Sequence, residues 1–214
     1  MFLMIATRPD LAFAVSKLSQ FLASPTTTHL TAATRTLRYV KETKSLELTF
    51  GSCTTQLEGF CDADYAMDVD TRRSTTGYVF TLYGGAVSWQ SKRQRSVALS
   101  TAEAEYMALT EATKEAIWLK NITESMLQQG STINKTSPIT IYEDNQAAIK
   151  LANNPVDHKR TKHIQVRYHF TRDAISDGII NLQYHSMDTM IADALTKSLP
   201  LPRLRLLRPA LGLQ

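Results

Sequence analysis

The sequence predicts an α/β protein with a five-stranded mixed sheet flanked by helices and an N-terminal two-helix appendage. Three strand-like segments follow one another with turn signals such as Gly84-Gly85 between them, at 54–61, 75–82 and 86–90. Closely spaced strands of this kind are typical of antiparallel hairpins. Two later segments, at 139–143 and 179–184, are separated by helical patterns, and helical crossovers favour parallel pairing.

The first 50 residues carry two helical patterns. Apolar residues recur at helical spacing over 10–23, and a second pattern runs over 27–43 behind a capping threonine, Thr27 or Thr28. So short a pair of helices has little core of its own, so we expect it to lean on the domain that follows. A strand-like stretch, 46–50, comes next.

The remaining helices are predicted from periodicity and end signals. A long helix should run from Ser100 to about Leu127, closed by Gly130, and shorter helices should cover 145–152, 162–176 and 188–197. The tail after Pro200 lacks a clear period and is expected to be disordered. This divides the chain into 1–50, 51–199 and 200–214.

Composition excludes several classes of protein. Only Cys53 and Cys61 are present, too few for a disulfide framework or a structural zinc site, so we expect a reducing, intracellular compartment rather than secretion. No apolar run is long enough to span a bilayer. The 24 basic and 20 acidic side chains permit a polyanionic partner without requiring one.

The segment from Gly59 to Tyr65 has the pattern of a β-strand whose last residues are acidic. Asp62 follows strand-compatible apolar residues, where a carboxylate is partly desolvated unless a cation or a hydrogen-bond network compensates it. Taken alone, Asp62 or Asp64 is better explained as the end of the strand and the start of a turn, and the three acidic motifs downstream reverse that preference. We assign Asp64 to the turn and Asp62 to the candidate site.

Two carboxylates near the start of the long helix have different predicted roles. Ser100 and Glu103 have the spacing of a capping box, which makes Glu103 structural. Glu105 shares its helix face with Ala108, Leu109 and Ala112, the stripe that should face the sheet. The alternative is a Glu105 stem that packs while its carboxylate reaches water.

Two further aspartates complete a candidate cluster. Asp144 follows a buried strand, where it either caps the next helix or faces the crevice beyond the strand ends. Asp193 lies in an apolar helical segment. If the four acids converge, their oxygens suit Mg²⁺ or Mn²⁺, and two such ions about 3.5–4 Å apart serve phosphodiester hydrolysis.

Six ordered motifs resemble the ribonuclease H domain of copia-type LTR retrotransposon Pol polyproteins: GFCDADYA, RRSTTGYVF, SWQSKRQRSVALSTAEAEYMAL, IYEDNQAAIKLANNP, RTKHIQVRYHF and IADALTKSL. The resemblance implies a ribonuclease-H-like fold with a metal-binding catalytic tetrad at Asp62, Glu105, Asp144 and Asp193. It also implies that Ser100 and Thr101 hold a phosphate of the DNA strand. Lys92, Arg93 and Arg95 are either part of the nucleic-acid surface or an exposed link.

The first 50 residues resemble the C-terminal helical end of a reverse transcriptase, in its thumb or connection region. The paired-aspartate polymerase motif would precede Met1, so no polymerase activity is expected. Two positions depart from the family pattern. Met67 stands where the family usually has Gly, and His185 either resembles the loop histidine that aids product release in cellular ribonucleases H or is a solvated loop residue.

The resemblance leaves two functions open. The first is an endonuclease that cuts the RNA strand of RNA–DNA hybrids during reverse transcription with two Mg²⁺ or Mn²⁺ ions, in the cytoplasm within a virus-like particle or in the nucleus. The second is a catalytically silent remnant that only binds nucleic acid or acts as a scaffold. An integrase or transposase relative is disfavoured, because those acidic sets end with Glu and this one ends with Asp193.

Overall fold

A computed structural model describes residues 1–51, 56–128, 137–153 and 162–214. Five strands form one sheet in the order β3-β2-β1-β4-β5. Their bounds are β1 Glu58–Ala63, β2 Thr75–Leu82, β3 Gly85–Arg93, β4 Ile139–Glu143 and β5 Ile180–Tyr184. The first three strands pair antiparallel, whereas β4 pairs parallel with both β1 and β5. The predicted fold class is therefore confirmed.

The helices pack on both faces of the sheet. Their bounds are α1 Phe2–Ala6, α2 Ala12–Ser19, α3 Thr27–Glu42, α4 Thr101–Gln128, α5 Gln146–Asn153, α6 Lys162–Ser176, α7 Asp193–Thr196 and α8 Leu201–Leu207. One core lies between the sheet and α4, around Phe80, Tyr106 and Leu109. A second lies on the opposite face, around Val79, Leu195 and Leu211. The predicted start of β1 at 54 and the helix end at Gly130 lie outside the described residues.

Two glycine positions shape opposite ends of the sheet. The β2–β3 turn consists of Tyr83 and Gly84, both with positive φ, which matches the twist of an antiparallel hairpin. Gly77 lies opposite Asp62 in the β1–β2 register. A Cβ on Gly77 would come within 2.6 Å of the Thr196 methyl, so the missing side chain lets α7 approach the strand that carries Asp62.

The N-terminal region is more divided than predicted. The predicted helix 10–23 is a 3-10 turn, Pro9–Leu11, followed by α2, and α1 was not predicted. Thr26, one residue before the expected caps, caps α3 together with the His29 side chain. The predicted strand 46–50 does not join the sheet.

The predicted disorder of the C-terminal tail is wrong. The tail forms α8 and a 3-10 turn, and its Leu207, Leu211 and Leu213 are at most 2% exposed in the second core. Leu213 forms an antiparallel bridge with Leu48, which accounts for the strand-like pattern around residue 48. Burial of these three leucines stabilises the folded tail. The sequence did not indicate this, because the apolar residues of the tail do not recur at helical spacing.

Two other segments differ locally from their predictions. The helix predicted at 188–197 is helical only in α7, because the chain before it forms tight turns in which Thr189 N–H donates to Ser186 O and Asp193 N–H to Met190 O. In the loop after β1 the positive φ falls on Ala66, so Met67 needs no glycine-like backbone. No helix among the described residues is long and apolar enough to cross a membrane.

Candidate metal centre

Asp62 lies in β1 near the acidic end of the sheet and is 2% exposed. The Thr196 hydroxyl donates to its Oδ2, and Lys197 Nζ lies 3.7 Å from the same oxygen. Burial raises the pKa of the Asp62 carboxyl to about 6, although the Lys197 ammonium and the Thr196 hydroxyl act in the opposite direction. Lys197 and Thr196 thus offset only part of the cost of burying the Asp62 carboxylate.

Asp193 is the first residue of α7 and faces Asp62 across Lys197. Lys197 Nζ lies 2.8 Å from Asp193 Oδ1, and Arg203 of α8 lies 3.6 Å from Asp193 Oδ2. Burial lowers the pKa of Lys197, but the neighbouring Asp62 and Asp193 carboxylates outweigh it and the pKa is raised. The ammonium therefore lies where it neutralises part of the acidic cluster, and the tail contributes Arg203 to its rim.

Asp144 follows β4 directly and is half-buried. Its pKa is raised, first by burial and then by the Asp193 carboxylate, against the lowering effect of Lys197. The helix-capping alternative belongs to Asn145 instead, since Asn145 Oδ1 accepts the N–H groups of Ala147 and Ala148 at 2.9 and 3.1 Å. The Asp144 carboxylate is free of that role.

Glu105 projects from the first turns of α4 towards β1. It is 7% exposed, and its Oε2 accepts the N–H of Ala63 at 2.6 Å. Burial, followed by the Glu143 and Asp62 carboxylates, raises the pKa of Glu105 well above its usual value. A Glu105 whose head reaches water is therefore excluded.

A fifth acid, Glu143, belongs to the same end of the sheet and was not predicted. Its side chain is fully buried; Oε2 accepts the Cys61 S–H at 3.1 Å and Oε1 accepts the Asn145 N–H at 3.1 Å. Burial raises its pKa well above the usual value. The alternation along β4 contained the signal, because Ile139, Ile141 and Glu143 share the face that packs on α4.

These acids form two groups of three carboxylates that share Asp144. Asp62, Asp144 and Asp193 form one group, and Glu105, Glu143 and Asp144 the other; in each, one oxygen per residue lies within 4.8 Å of the others. The four acids chosen from the sequence thus all meet at one end of the sheet. Oxygen-only groups of this kind fit hard divalent cations such as Mg²⁺ or Mn²⁺.

Two nearby acids have structural roles, as predicted. Asp64 Oδ1 accepts the N–H of Thr75 at 2.8 Å, which fastens the start of β2 to the turn after β1. At the start of α4, Ser100 Oγ accepts the Glu103 N–H at 3.2 Å, and Glu103 Oε2 accepts the Leu99 N–H at 2.9 Å. The capping box thus reaches back one residue further than expected.

Lys92 and Arg93, two of the residues expected to contact nucleic acid, pair with the start of β2 and so lie at the same end of the sheet as Asp62. Ser100 and Thr101 are exposed at the N-terminus of the 28-residue α4, where backbone N–H groups attract anions. Lys92 and Arg95 are exposed, whereas Arg93 is 3.5 Å from Asp68. Lys92 and Arg93 belong to β3 rather than to a link, and all three cations line a cavity of about 250 Å³ together with Lys114 and Arg167.

His185 is held in place rather than freely solvated. Its ring packs against Phe60 and Tyr142, with ring centres 5.4 and 5.3 Å away. Its Nε2 lies 3.0 Å from Thr189 Oγ1. His185 is half-buried at the carboxyl end of β5, and its influence on the pKa of Asp144 is a small one that opposes the net increase caused by burial.

The chain is similar to polyproteins of plant transposons. It is 44% identical over 214 residues to the retrovirus-related Pol polyprotein from transposon TNT 1-94 of Nicotiana tabacum, covering all of this chain and 16% of that protein. It is 40% identical over 195 residues to the corresponding polyprotein from transposon RE1 of Arabidopsis thaliana, covering 90% and 13%. It is also 58% identical over 120 residues to secreted RxLR effector protein 161 of Plasmopara viticola, covering 56% and 84%.

Solved structures of ribonucleases H are similar at low identity. Ribonuclease H1 of Halobacterium salinarum NRC-1 is 17% identical with a TM-score of 0.46, over 66% of this chain and 94% of that one. LC11-RNase H1 in complex with an RNA/DNA hybrid is 12% identical with a TM-score of 0.44, over 66% and 94%.

No protein-family model matches the chain. The chain spans less than a fifth of the two plant polyproteins, but the similarity covers 90% or more of its own length. The motifs that resemble copia-type elements lie within that similarity. The chain therefore belongs to the family of retrovirus-related Pol polyproteins from copia-type transposons.

Proposed function

We propose that the chain is a ribonuclease H that hydrolyses the RNA strand of RNA–DNA hybrids during reverse transcription of a copia-type element. The observation that carries this proposal is the convergence of Asp62, Glu105, Asp144 and Asp193 at one end of the sheet, where Asp144 belongs to both carboxylate groups. Family membership and the mixed sheet support a nuclease of a retroelement, and the motif resemblance supplies the substrate class.

In this proposal Asp62, Glu105, Asp144 and Asp193 are the ligands of two divalent cations. Asp144 could contribute to holding both cations, because it belongs to both carboxylate groups. Two such cations activate a water and stabilise the leaving oxygen in phosphodiester hydrolysis. Lys197 neutralises Asp62 and Asp193 when the cations are absent, which limits the repulsion among the acids.

The remaining residues bind the hybrid. The N-terminus of α4, with Ser100 and Thr101, receives a phosphate of the DNA strand. Lys92 and Arg95 extend this positive surface along the edge of β3, and Arg93 contributes to it while paired with Asp68. His185 lies beside Asp144, where a histidine assists release of the cleaved product.

Domain roles follow from the same resemblance. Residues 1–50 are the C-terminal end of the reverse transcriptase, 51–199 the nuclease, and the upstream polymerase region is the natural partner of the first segment. Contacts across these boundaries support one folded unit, because Lys17 of α2 pairs with Asp68 at 2.7 Å and Arg203 of α8 approaches Asp193.

The test is incubation of the purified chain with an RNA–DNA hybrid labelled on the RNA strand, with and without Mg²⁺. We expect metal-dependent cuts in the RNA of the hybrid and none in single-stranded RNA or duplex DNA. Asp62→Asn is the matched control against a contaminating nuclease. Hybrid binding without cleavage in Mg²⁺ and in Mn²⁺ identifies instead the silent, binding-only remnant.

A further inference from the structure

Glu143 has no part in the tetrad, yet it is the most deeply buried acid at this end of the sheet. Its side chain is 0% exposed, against 2% for Asp62 and 7% for Glu105. An ionised carboxyl in such a place is costly, and an apolar side chain of the same size would stabilise the core. A specific function is needed to explain why β4 ends in this residue.

The two hydrogen bonds of Glu143 connect the segments that carry two of the proposed ligands. Oε2 accepts from Cys61, the chain neighbour of Asp62, and Oε1 accepts from the backbone N–H of Asn145, the chain neighbour of Asp144. The Glu143 carboxyl group thus bonds to the residue before Asp62 and to the residue after Asp144.

This link begins where backbone pairing stops. The parallel register between β1 and β4 ends at Phe60 and Tyr142, so both aspartates lie beyond the last paired residues. The next connections between the two strands come from the Cys61 thiol, which lies 3.1 Å from Glu143 Oε2 and 3.7 Å from Tyr142 O.

We propose that Glu143 is a positioning residue that fixes the spacing between Asp62 and Asp144 by bonding to Cys61 and to the Asn145 amide. The role rests on the proposed two-cation function. The positioning role rests on the bonds that the protein donates to both Glu143 oxygens, although each oxygen keeps a lone pair that could also approach a cation. The proximity of Glu143 to Glu105 and Asp144 makes direct ligation the alternative that the experiment must separate.

The experiment compares Glu143→Leu with Glu143→Gln in the full chain. Leu fills a similar volume without any hydrogen bond, whereas the Gln oxygen still accepts the Asn145 N–H. Mn²⁺ affinity is measured by electron paramagnetic resonance, and the Mg²⁺ concentration for half-maximal hybrid cleavage is measured in parallel. We expect Glu143→Leu to weaken Mn²⁺ binding and to raise the half-maximal Mg²⁺ concentration, each about 10- to 100-fold, which is the usual effect of removing a partner that orients a metal ligand. Glu143→Gln should change each quantity only a few-fold.

A second pair of variants tests the Cys61 side of the link. Cys61→Ser keeps a donor and should bind Mn²⁺ nearly as tightly as the wild type, whereas Cys61→Ala should weaken binding, though less than Glu143→Leu because the Asn145 bond persists. Melting temperatures separate positioning from folding. We expect Glu143→Leu to melt no lower than the wild type without metal, so its loss of affinity does not come from unfolding.

The possible results are distinct. If Glu143→Leu binds Mn²⁺ like the wild type, the positioning role is overturned while the proposed function stands. If Glu143→Gln is as defective as Glu143→Leu, the carboxylate charge itself is required and Glu143 is a ligand instead. If the wild type neither binds Mn²⁺ nor cleaves the hybrid, the proposed function fails and this role fails with it.

Discussion

The acidic end of the sheet and helix α3 use burial in opposite ways. At the acidic end, Asp62, Glu105, Glu143 and Asp193 are all less than 10% exposed although each carries an ionisable group. In α3 no residue is buried, and Leu30 and Leu37 are 67% and 69% exposed. Stability alone favours neither arrangement, because buried charge is costly and exposed leucine contributes little.

The comparison indicates that both regions are completed by something beyond their own packing. The acids repel one another, and Lys197 and Arg203 compensate them only in part, so cations are expected to complete that end. Helix α3 is attached through a small polar network, in which Arg8 and Tyr39 both bond to Asp10, and through the His29 ring, which stacks on Phe21. In our proposal, the upstream polymerase region covers the exposed leucines of α3.

The largest effect is expected from Asp62→Asn. The substitution removes one member of the Asp62, Asp144 and Asp193 group, and hybrid cleavage should fall at least about 100-fold, since even residues that only orient metal ligands cost 10- to 100-fold. Folding should be kept or improved, because a neutral amide relieves repulsion. Cleavage rates per folded molecule measure the effect, and near wild-type cleavage would remove Asp62 from the metal site.

The metal-free protein should lose stability as pH rises through about 6. The pKa of Asp62 is raised from 3.8 to about 6, so the folded state binds the proton more tightly than the unfolded state. Its stabilising contribution is complete below pH 4 and is lost as pH rises to 6, by about 3 kcal/mol at most. Denaturant unfolding in chelator from pH 4 to 7 should show a steeper fall for the wild type than for Asp62→Asn, and equal slopes would contradict the raised pKa.

Divalent cations should raise the melting temperature, because they bind the folded state only. At 100 times the dissociation constant, one site contributes about 2.7 kcal/mol. The gain should largely disappear in Asp62→Asn and Asp144→Asn. Asp64→Asn is the matched control, since its oxygen can still accept the Thr75 N–H and it belongs to neither carboxylate group. An equal loss in the Asp64 variant would show that the cluster is wrongly assigned.

The Glu103→Ala variant should separate the two glutamates at the start of α4. Glu103 accepts the Leu99 N–H, and loss of this cap should cost about 0.5–2 kcal/mol. Cleavage per folded molecule should be unchanged, in contrast to Glu105→Ala. If both variants lose cleavage equally, the division between a capping and a metal-binding glutamate is wrong.

The elements with strong local signals could be predicted from the sequence to within a residue or two. Strands β2 and β4 and helix α6 begin and end where the alternation and periodicity placed them. The four acids were placed together because strand ends and an inward helix face limit where a carboxylate can lie. For Asp62 the sequence left a turn role open, and the structure places its carboxylate in one group with Asp144.

The features that were missed depend on partners far away in the chain. The burial of Leu213 requires Leu48, and no local pattern reveals a pairing across 165 residues. Glu143 was overlooked because its neighbour Asp144 already explained the acidic end of β4. The positioning role proposed for Glu143 depends on its hydrogen bond with Cys61, which lies on another strand.

The smallest change in the free energy of unfolding is expected for a substitution on the exposed face of α3, the second region of the comparison. Leu37→Glu replaces an exposed side chain by another good helix former, so the free energy of unfolding should change by no more than about 0.5 kcal/mol. Leu11→Ala is the contrasting control, because Leu11 is 3% exposed and its truncation should cost about 2–5 kcal/mol. Denaturant unfolding measures both, and sedimentation shows whether the wild type self-associates. If Leu37→Glu destabilises the chain by more than about 1 kcal/mol, or converts an oligomer to a monomer, this face is already covered by another part of the chain or by a second copy, and the proposed place for the polymerase region is lost.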